Sequence, residues 1–274
     1  MRSEPQNKMR SAIGAAHVVL WLCAGTSCLV DNPAYQRATI ETDASASPDA
    51  RWQQASDVTM SLAPQVPTKG LIGWWSFDQI EGGVVRDLSG NGLDGTVVGK
   101  LSLIAGRQGQ AASFNGNTYV NVRYKPVLNE ISGAVTVAAW VWSKTTSPRD
   151  RQMLLSRQER DGVWEHYGLA CVDDTVVMYL APNLSDHVHE PRLPSEWVHT
   201  AATFDGSTLR LYINGVEQEA TEQSPRWGSD TNGLSIGANQ NQDLIEEFFE
   251  GFLDSLGLWK RALSVDEIKR LAAP

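Results

Sequence analysis

"WVHTAATFDGSTLRLYINGVEQEAT", residues 197–221, decides the fold of this chain. Val198, Thr200, Ala202 and Phe204 fall on one phase and His199, Ala201 and Thr203 on the other, which is the two-residue period of a β-strand. Asp205-Gly206 follows and supplies the left-handed backbone that a tight hairpin needs. Leu209, Leu211 and Ile213 then alternate with Arg210 and Tyr212. Asn214-Gly215 makes the next hairpin, into a strand over 216–221. Three antiparallel strands in sequence are a meander, and a one-residue slip would turn its apolar set outward.

On both sides of the meander the same punctuation continues. Short apolar or alternating runs separated by Gly, Asn and Asp predict strands at 71–77, 95–98, 111–114, 119–122, 135–143, 153–156, 167–172, 176–180, 234–237 and 252–259. So many short strands imply an all-β, two-sheet antiparallel sandwich. Helical periodicity is confined to the C-terminus, where Ser264 with Glu267 three positions on forms a capping box for a short helix through Leu271.

The N-terminal region has a different character. Arg2, Lys8 and Arg10 precede "AIGAAHVVLWLCAG", a run too short to span a bilayer but suited to a signal-peptide core, whether the chain starts at Met1 or Met9. "GTSC" then places a Cys after small residues, as bacterial lipoprotein signals do. Acylation of Cys28 and ordinary cleavage near residues 25–27 are both compatible with it. Residues 28–68 are rich in Ala, Ser, Thr, Asp, Gln and Pro without hydrophobic period and read as a disordered tether. The expected organisation is a signal peptide over 1–27, a tether over 28–68 and a folded domain over 69–274. The expected location is the cell envelope, held to a membrane through the lipid anchor, or the extracellular space.

The formal net charge is −9. Loss of residues 1–27 removes Arg2, Lys8 and Arg10 against Glu4 alone, so the remainder is more acidic still. Phosphate backbones would repel it, which excludes nucleic acid as a partner, and divalent cations become more favourable ones. If Cys23 is removed and Cys28 acylated, Cys171 stands alone and no disulfide framework exists. Cys171 lies in "YGLACV", where a buried inert thiol is expected.

Several motifs suggest chemistry and most have a plainer reading. "GLSIG" at 233–237 matches the nucleophile elbow, yet Ser235 lies in a strand-like stretch rather than a strand-turn-helix. No strand carries the paired carboxylates of a retaining glycosidase, and Glu246, Glu247 and Glu250 do not share one strand face. "DHVHEP" aligns His187 and His189, two ligands where zinc needs three or four. Among ten tryptophans, Trp74, Trp75, Trp140, Trp197 and Trp259 sit in apolar runs and read as packing. Trp164 and Trp227 sit in polar, loop-like contexts and are the candidates for a ligand surface. In "GFLDSLGLW", alternation puts Asp254 on the face of Phe252, Leu256 and Leu258, so its carboxylate needs hydrogen-bond donors or a metal. "DLSGNGLDG" at 87–95 matches half of an EF-hand loop, but Val98 stands where the bidentate Glu belongs, and turn chemistry is the first reading of its glycines.

The ordered series "GLIGWWSFDQIEGGVVRDLSGNGLDGT", "GQAASFNGNTYVNV", "VTVAAWVWS", "WVHTAATFDGSTLRLYINGV", "LSIGAN" and "FFEGFLDSLGLWKRALSVDEIKRL" resembles the LamG-like, concanavalin A-type jelly roll over about residues 69–272. The resemblance implies a sandwich in which the first and last strands come together. It also implies a non-catalytic module that binds an extracellular glycan or protein, with a structural calcium in some members. The matching positions for calcium would be Asp87, Asn91 and Asp254. Trp142 stands where the family leads one to expect a polar residue. The alternatives are a polysaccharide hydrolase or lyase whose carboxylates converge only in three dimensions, and a purely structural surface domain.

Overall fold

The meander forms as its turns dictate. In the computed structural model β12 (Val198–Phe204), β13 (Thr208–Ile213) and β14 (Val216–Glu222) pair in order. Asn214 and Gly215 hold φ of 49° and 78°, the pair of positive values that a two-residue hairpin turn demands. Asp205 fixes the other turn by accepting from the Ser207 and Thr208 amides while Arg210 closes on it at 2.6 Å. The described residues are 66–144, 151–158, 165–172, 175–180, 196–228, 231–241 and 244–273. They lie in one compact unit of the chain, Ala55–Pro274.

The remaining strands are β1 (Leu71–Trp75), β2 (Ile80–Glu81), β3 (Val84–Val85), β4 (Gly95–Val98), β5 (Ser102–Ala105), β6 (Gln110–Asn115), β7 (Tyr119–Val122), β8 (Val135–Ser143), β9 (Gln152–Gln158), β10 (Glu165–Val172), β11 (Thr175–Leu180), β15 (Leu234–Ile236), β16 (Asn239–Asn241), β17 (Leu244–Glu246) and β18 (Glu250–Trp259). One antiparallel sheet runs β14-β13-β12-β8-β18-β6-β5, with β1 also paired to β18. The other runs β11-β10-β9-β15-β7-β4-β3-β2, and β16-β17 is a separate hairpin. The jelly-roll expectation, with first and last strands paired from Leu71 against Trp259 to Trp75 against Leu256 and a register shift between Leu71 and Gly73, is met. The single α-helix among the described residues, α1 (Val265–Leu271), starts at the foreseen capping box, Ser264 with Glu267.

Between the sheets lies one hydrophobic core. The first sheet contributes Val135, Val137, Ala139 and Val141 of β8, Val198, Ala202 and Phe204 of β12, and Leu253, Leu256 and Leu258 of β18. That last set corrects an expectation. Ser255 adopts φ of 52° and the β18–β8 register shifts between Asp254 and Gly257, so the phase of β18 reverses there. Asp254 therefore shares a face with Phe252 but not with Leu256 and Leu258. It lies on the outer side of the sheet, opposite Trp140.

Candidate functional site

The core phase of β8 takes its odd-numbered residues, which leaves Ala138, Trp140 and Trp142 on the outer face of the first sheet. This face is divided. At one end α1 packs down on it: Trp74, Ala138, Ala201, Tyr212 and Trp259 bury against Leu263, Ile268 and Leu271. Arg261 holds Glu267 in a bidentate pair, at 2.8 and 2.6 Å, and this with the Ser264 amide keeps the Glu267 carboxyl down at about 2.

At the other end no helix intervenes among the described residues. Trp142 of β8 faces Phe252 of β18 across the ladder, and Trp197, just before β12, completes a row. Trp142 stands edge-on to both, with ring centroids 6.0 Å away in each case, and Trp197 and Phe252 are 6.3 Å apart. All three are only half-buried. A cluster of three large aromatic rings that keep part of their surface in water is the kind of patch that marks a binding surface. Lys144 places its Nζ 4.1 Å from the Phe252 ring centre.

The neighbouring row, two residues along each strand, is Asp254, Trp140 and His199. All three are buried, and the Arg107 guanidinium lies 4.8 Å from the Trp140 ring centre. Asp254 is capped by the β5–β6 turn: Oδ2 accepts from the Gln108 amide at 2.8 Å, the Arg107 amide also donates to the carboxylate, and Oδ1 accepts from Ser255 Oγ at 3.0 Å. A Cβ at Gly106 would come within 2.6 Å of Oδ2, so the turn approaches as closely as backbone can. Burial outweighs these donors and pushes the Asp254 carboxyl up to about 6. Trp140 Nε1 and His199 Nδ1 have no hydrogen-bond partner among the described residues.

Burial alone holds the His199 imidazole down, to about 3. A folded-state value below the unfolded one means that stability is present above pH 6.5 and is lost as pH falls toward 3. At pH 5 the loss is about 2 kcal/mol, or about 6 °C in Tm. Asp254 acts in the opposite sense, since a raised carboxyl pKa makes acidification through about 6 stabilising. The two separate in a comparison of the wild type with His199→Gln by thermal melts at pH 7 and pH 5. The variant is expected to lose about 6 °C less on acidification, and an equal drop in both proteins would refute the assignment.

The positions proposed for calcium are Asp87 and Asn91 in one loop and Asp254 in β18, and both carboxylates accept hydrogen bonds from the protein. Asp87 and Asn91 belong to the loop that precedes β4 and lies along β1. Asp87 Oδ1 accepts from the amides of Trp74 at 3.1 Å and Ser89 at 2.9 Å, and Oδ2 from Ser89 Oγ and the Leu93 amide, both at 2.8 Å. Asn91 Nδ2 donates to the carbonyls of Leu71 and Ile72. Lys125 Nζ sits 3.5 Å from the Asn91 carbonyl, so a positive charge already lies against the loop. Oxygens occupied by N–H and O–H donors beside an ammonium group do not fit a calcium ion, which needs six to eight oxygen ligands. Among the described residues no group of three or more His, Cys, Asp and Glu side chains could hold a metal. Gly90 and Gly92 take φ of 89° and 68°, the turn role first read for them.

Trp227 tilts over Phe204 at 6.0 Å and packs on the core, so part of its ring surface is already committed. Trp164, His187, His189 and Cys28 lie outside the described residues. Cys171 is buried in the core, and Ser235 is buried within β15 rather than on a turn. Sequence reasoning missed Trp142, Phe252 and Trp197 as a surface. The signal was available in β8: once Val135, Val137 and Val141 are assigned to the core, Trp140 and Trp142 fall on the phase that ought to face water.

A sequence profile of the concanavalin A-like lectin/glucanases superfamily matches residues 114–269. Over 86 residues the chain is 34% identical to mouse pappalysin-1, and over 89 residues it is 30% identical to the human protein. These stretches are 29% and 30% of this chain but only 5% of either relative. Among solved structures, domain 4 of AbnA, an extracellular arabinanase from Geobacillus stearothermophilus, in complex with arabinotriose, superposes with a TM-score of 0.57 at 21% identity, covering 74% of this chain and 98% of that one. Trypanosoma rangeli sialidase in complex with sialic acid gives 0.61 at 18%, over 82% of this chain and 37% of the other. The botulinum neurotoxin DC binding domain in complex with rat synaptotagmin II gives 0.57 at 14%, over 75% and 51%. At such identities the structural matches establish the fold.

Proposed function

From the premise that the chain belongs to the concanavalin A-like lectin/glucanase superfamily, we propose that it is a non-catalytic recognition module holding an extracellular glycan on the open end of its first sheet. The observation that carries this reading is the half-exposed row of Trp142, Trp197 and Phe252, left uncovered where α1 stops. Indole and phenyl faces stack on the C–H faces of sugar rings, and few side-chain torsions are lost in doing so. The likeness to an arabinanase domain bound to arabinotriose supports a sugar as ligand. The signal peptide, the acylated Cys28 and the tether belong to the same proposal and would present the domain at the cell envelope.

Hydrolysis is the second reading, and Asp254 is what favours it, since its raised pKa and the nearby Asp78 charge suggest a general acid. Against it, Asp254 has no accessible surface and both oxygens accept hydrogen bonds, so a glycosidic oxygen cannot reach it without removal of the β5–β6 turn.

The test is a glycan array followed by titration calorimetry on the best ligand, using the wild type and Trp142→Ala. The variant is expected to keep its melting temperature within a few degrees and to bind about 30-fold more weakly, or ~2 kcal/mol. Unaltered glycan affinity in a folded variant would sink the proposal. Binding to proteins alone would transfer the face to a protein partner.

A further inference from the structure

The aromatic row is flanked by two cations. Arg86, Arg151, Arg210 and Arg261 each hold a carboxylate at 2.6 or 2.7 Å. Arg107 and Lys144 have no acidic partner among the described residues, in a chain whose formal charge is −9. Each lies instead against an aromatic ring, Arg107 over Trp140 and Lys144 over Phe252. A ring face attracts a cation through its quadrupole but leaves the charge in place, so its N–H groups can still meet an anion. The two rings stand in adjacent rows of the same face, about 7 Å apart along the strands. Of the carboxylates in this area, Asp254 turns its oxygens to the Gln108 and Arg107 amides and to Ser255, and the exposed Glu250 lies across the ladder from Lys144, whose amide donates to the Glu250 carbonyl at 3.0 Å. Gln108 also presents its side chain there, within 3.4 Å of Ser255 Oγ.

We infer that the ligand of this face is an acidic saccharide, whose ring stacks on Trp142 and Phe252 while its carboxylate or sulfate groups meet Arg107 and Lys144. The inference rests on the proposed glycan-binding role and adds the charge class of the sugar. A planar guanidinium pairs two-pronged with a carboxylate or sulfate, and an ammonium group pairs as a point charge. In an acidic protein, cations beside the aromatic row give an anionic polymer a locally favourable approach to it.

The test uses the full chain and measures affinity for oligogalacturonate, its methyl ester, heparin oligosaccharides and dextran. The methyl ester keeps the sugar and removes the charge; heparin separates sulfate from carboxylate recognition. Wild type is expected to bind oligogalacturonate or heparin at least tenfold more tightly than the methyl ester and dextran. Arg107→Gln and Lys144→Gln should each cost about fivefold to tenfold on the acidic probe only, and the advantage should shrink as salt rises. If the neutral probes bind as well as the acidic ones and Trp142→Ala abolishes both, the glycan face stands and the acidic class is wrong. If acidic probes bind but neither cation nor Trp142 matters, both readings fail at this face. Failure of every acidic probe to bind overturns the inference outright.

Discussion

Replacement of Asp87 by Ala is expected to cost the domain about 4 kcal/mol, because two or more buried backbone donors lose their acceptor at once. The Asp87 carboxylate serves the amides of Trp74, Ser89 and Leu93 and the Ser89 hydroxyl, tying the loop before β4 to the edge of β1. Trp74 and Leu93 are buried, so water cannot replace the lost bonds without opening the structure. Around them the same loop holds Trp75 Nε1 through the Leu93 carbonyl at 3.0 Å. Loosening it therefore also loosens the largest side chain at the middle of the core. Chemical denaturation of Asp87→Ala against wild type measures the loss. Since the carboxylate is saturated by protein donors, addition of calcium or of EDTA should leave the wild-type melting temperature unchanged. A rise of several degrees with calcium, abolished by Asp87→Asn, would show instead that a cation does the work assigned here to the amides.

A loss of similar size, about 4 kcal/mol, is expected for Trp259→Ala, from the cavity and the lost transfer energy of a fully buried indole. Trp259 lies between β18 and α1, edge-on to Trp74 at 6.2 Å, and its Nε1 donates to the Pro67 carbonyl at 2.6 Å. Its ring also lies over Gly257, where a Cβ would come within 2.2 Å. The indole therefore fills the space between sheet, helix and the residues leading into β1. Trp259→Phe keeps most of the packing and forfeits the bond to Pro67, so it should lose less than half as much. Because Trp259 belongs to the covered end of the sheet, Trp259→Phe should bind saccharide with wild-type affinity. Amide exchange in 265–271 should accelerate more in Trp259→Ala than in Trp259→Phe, and equal exchange in both would separate α1 from the indole.

Alternation and turn chemistry made much of the fold legible. The runs at 95–98, 119–122 and 135–143 became strands residue for residue, and both hairpins of the meander formed at Asp205-Gly206 and Asn214-Gly215. What escaped included the two-residue strands β2 (Ile80–Glu81) and β3 (Val84–Val85), too short to carry a period, and also β5 (Ser102–Ala105). The phase of β18 also escaped, because a non-glycine residue in left-handed conformation, Ser255, leaves no mark in a pattern of apolar residues. The aromatic face was half visible. The odd place of Trp142 was evident in the sequence, but that Phe252 and Trp197 arrive beside it depends on pairings between strands more than 50 residues apart, which composition does not encode. Trp227 looked exposed because its neighbours are polar, while its contact with Phe204 is tertiary.

The pairing of β1 with β18 has a mechanical meaning. The strands are antiparallel, and Leu71, where the chain enters the sandwich, faces Trp259, where the main sheet ends. A load applied between those two points would open their hydrogen bonds one after another from that end, as a zipper opens, rather than straining all of them together in shear. The domain would thus be yielding along its own chain axis. A load between one end and a ligand on the face of Trp142 must instead cross β8, β12 and β18, where the whole sheet shares it. Under the proposed glycan-binding role, the path through the sheet would be the one that bears tension.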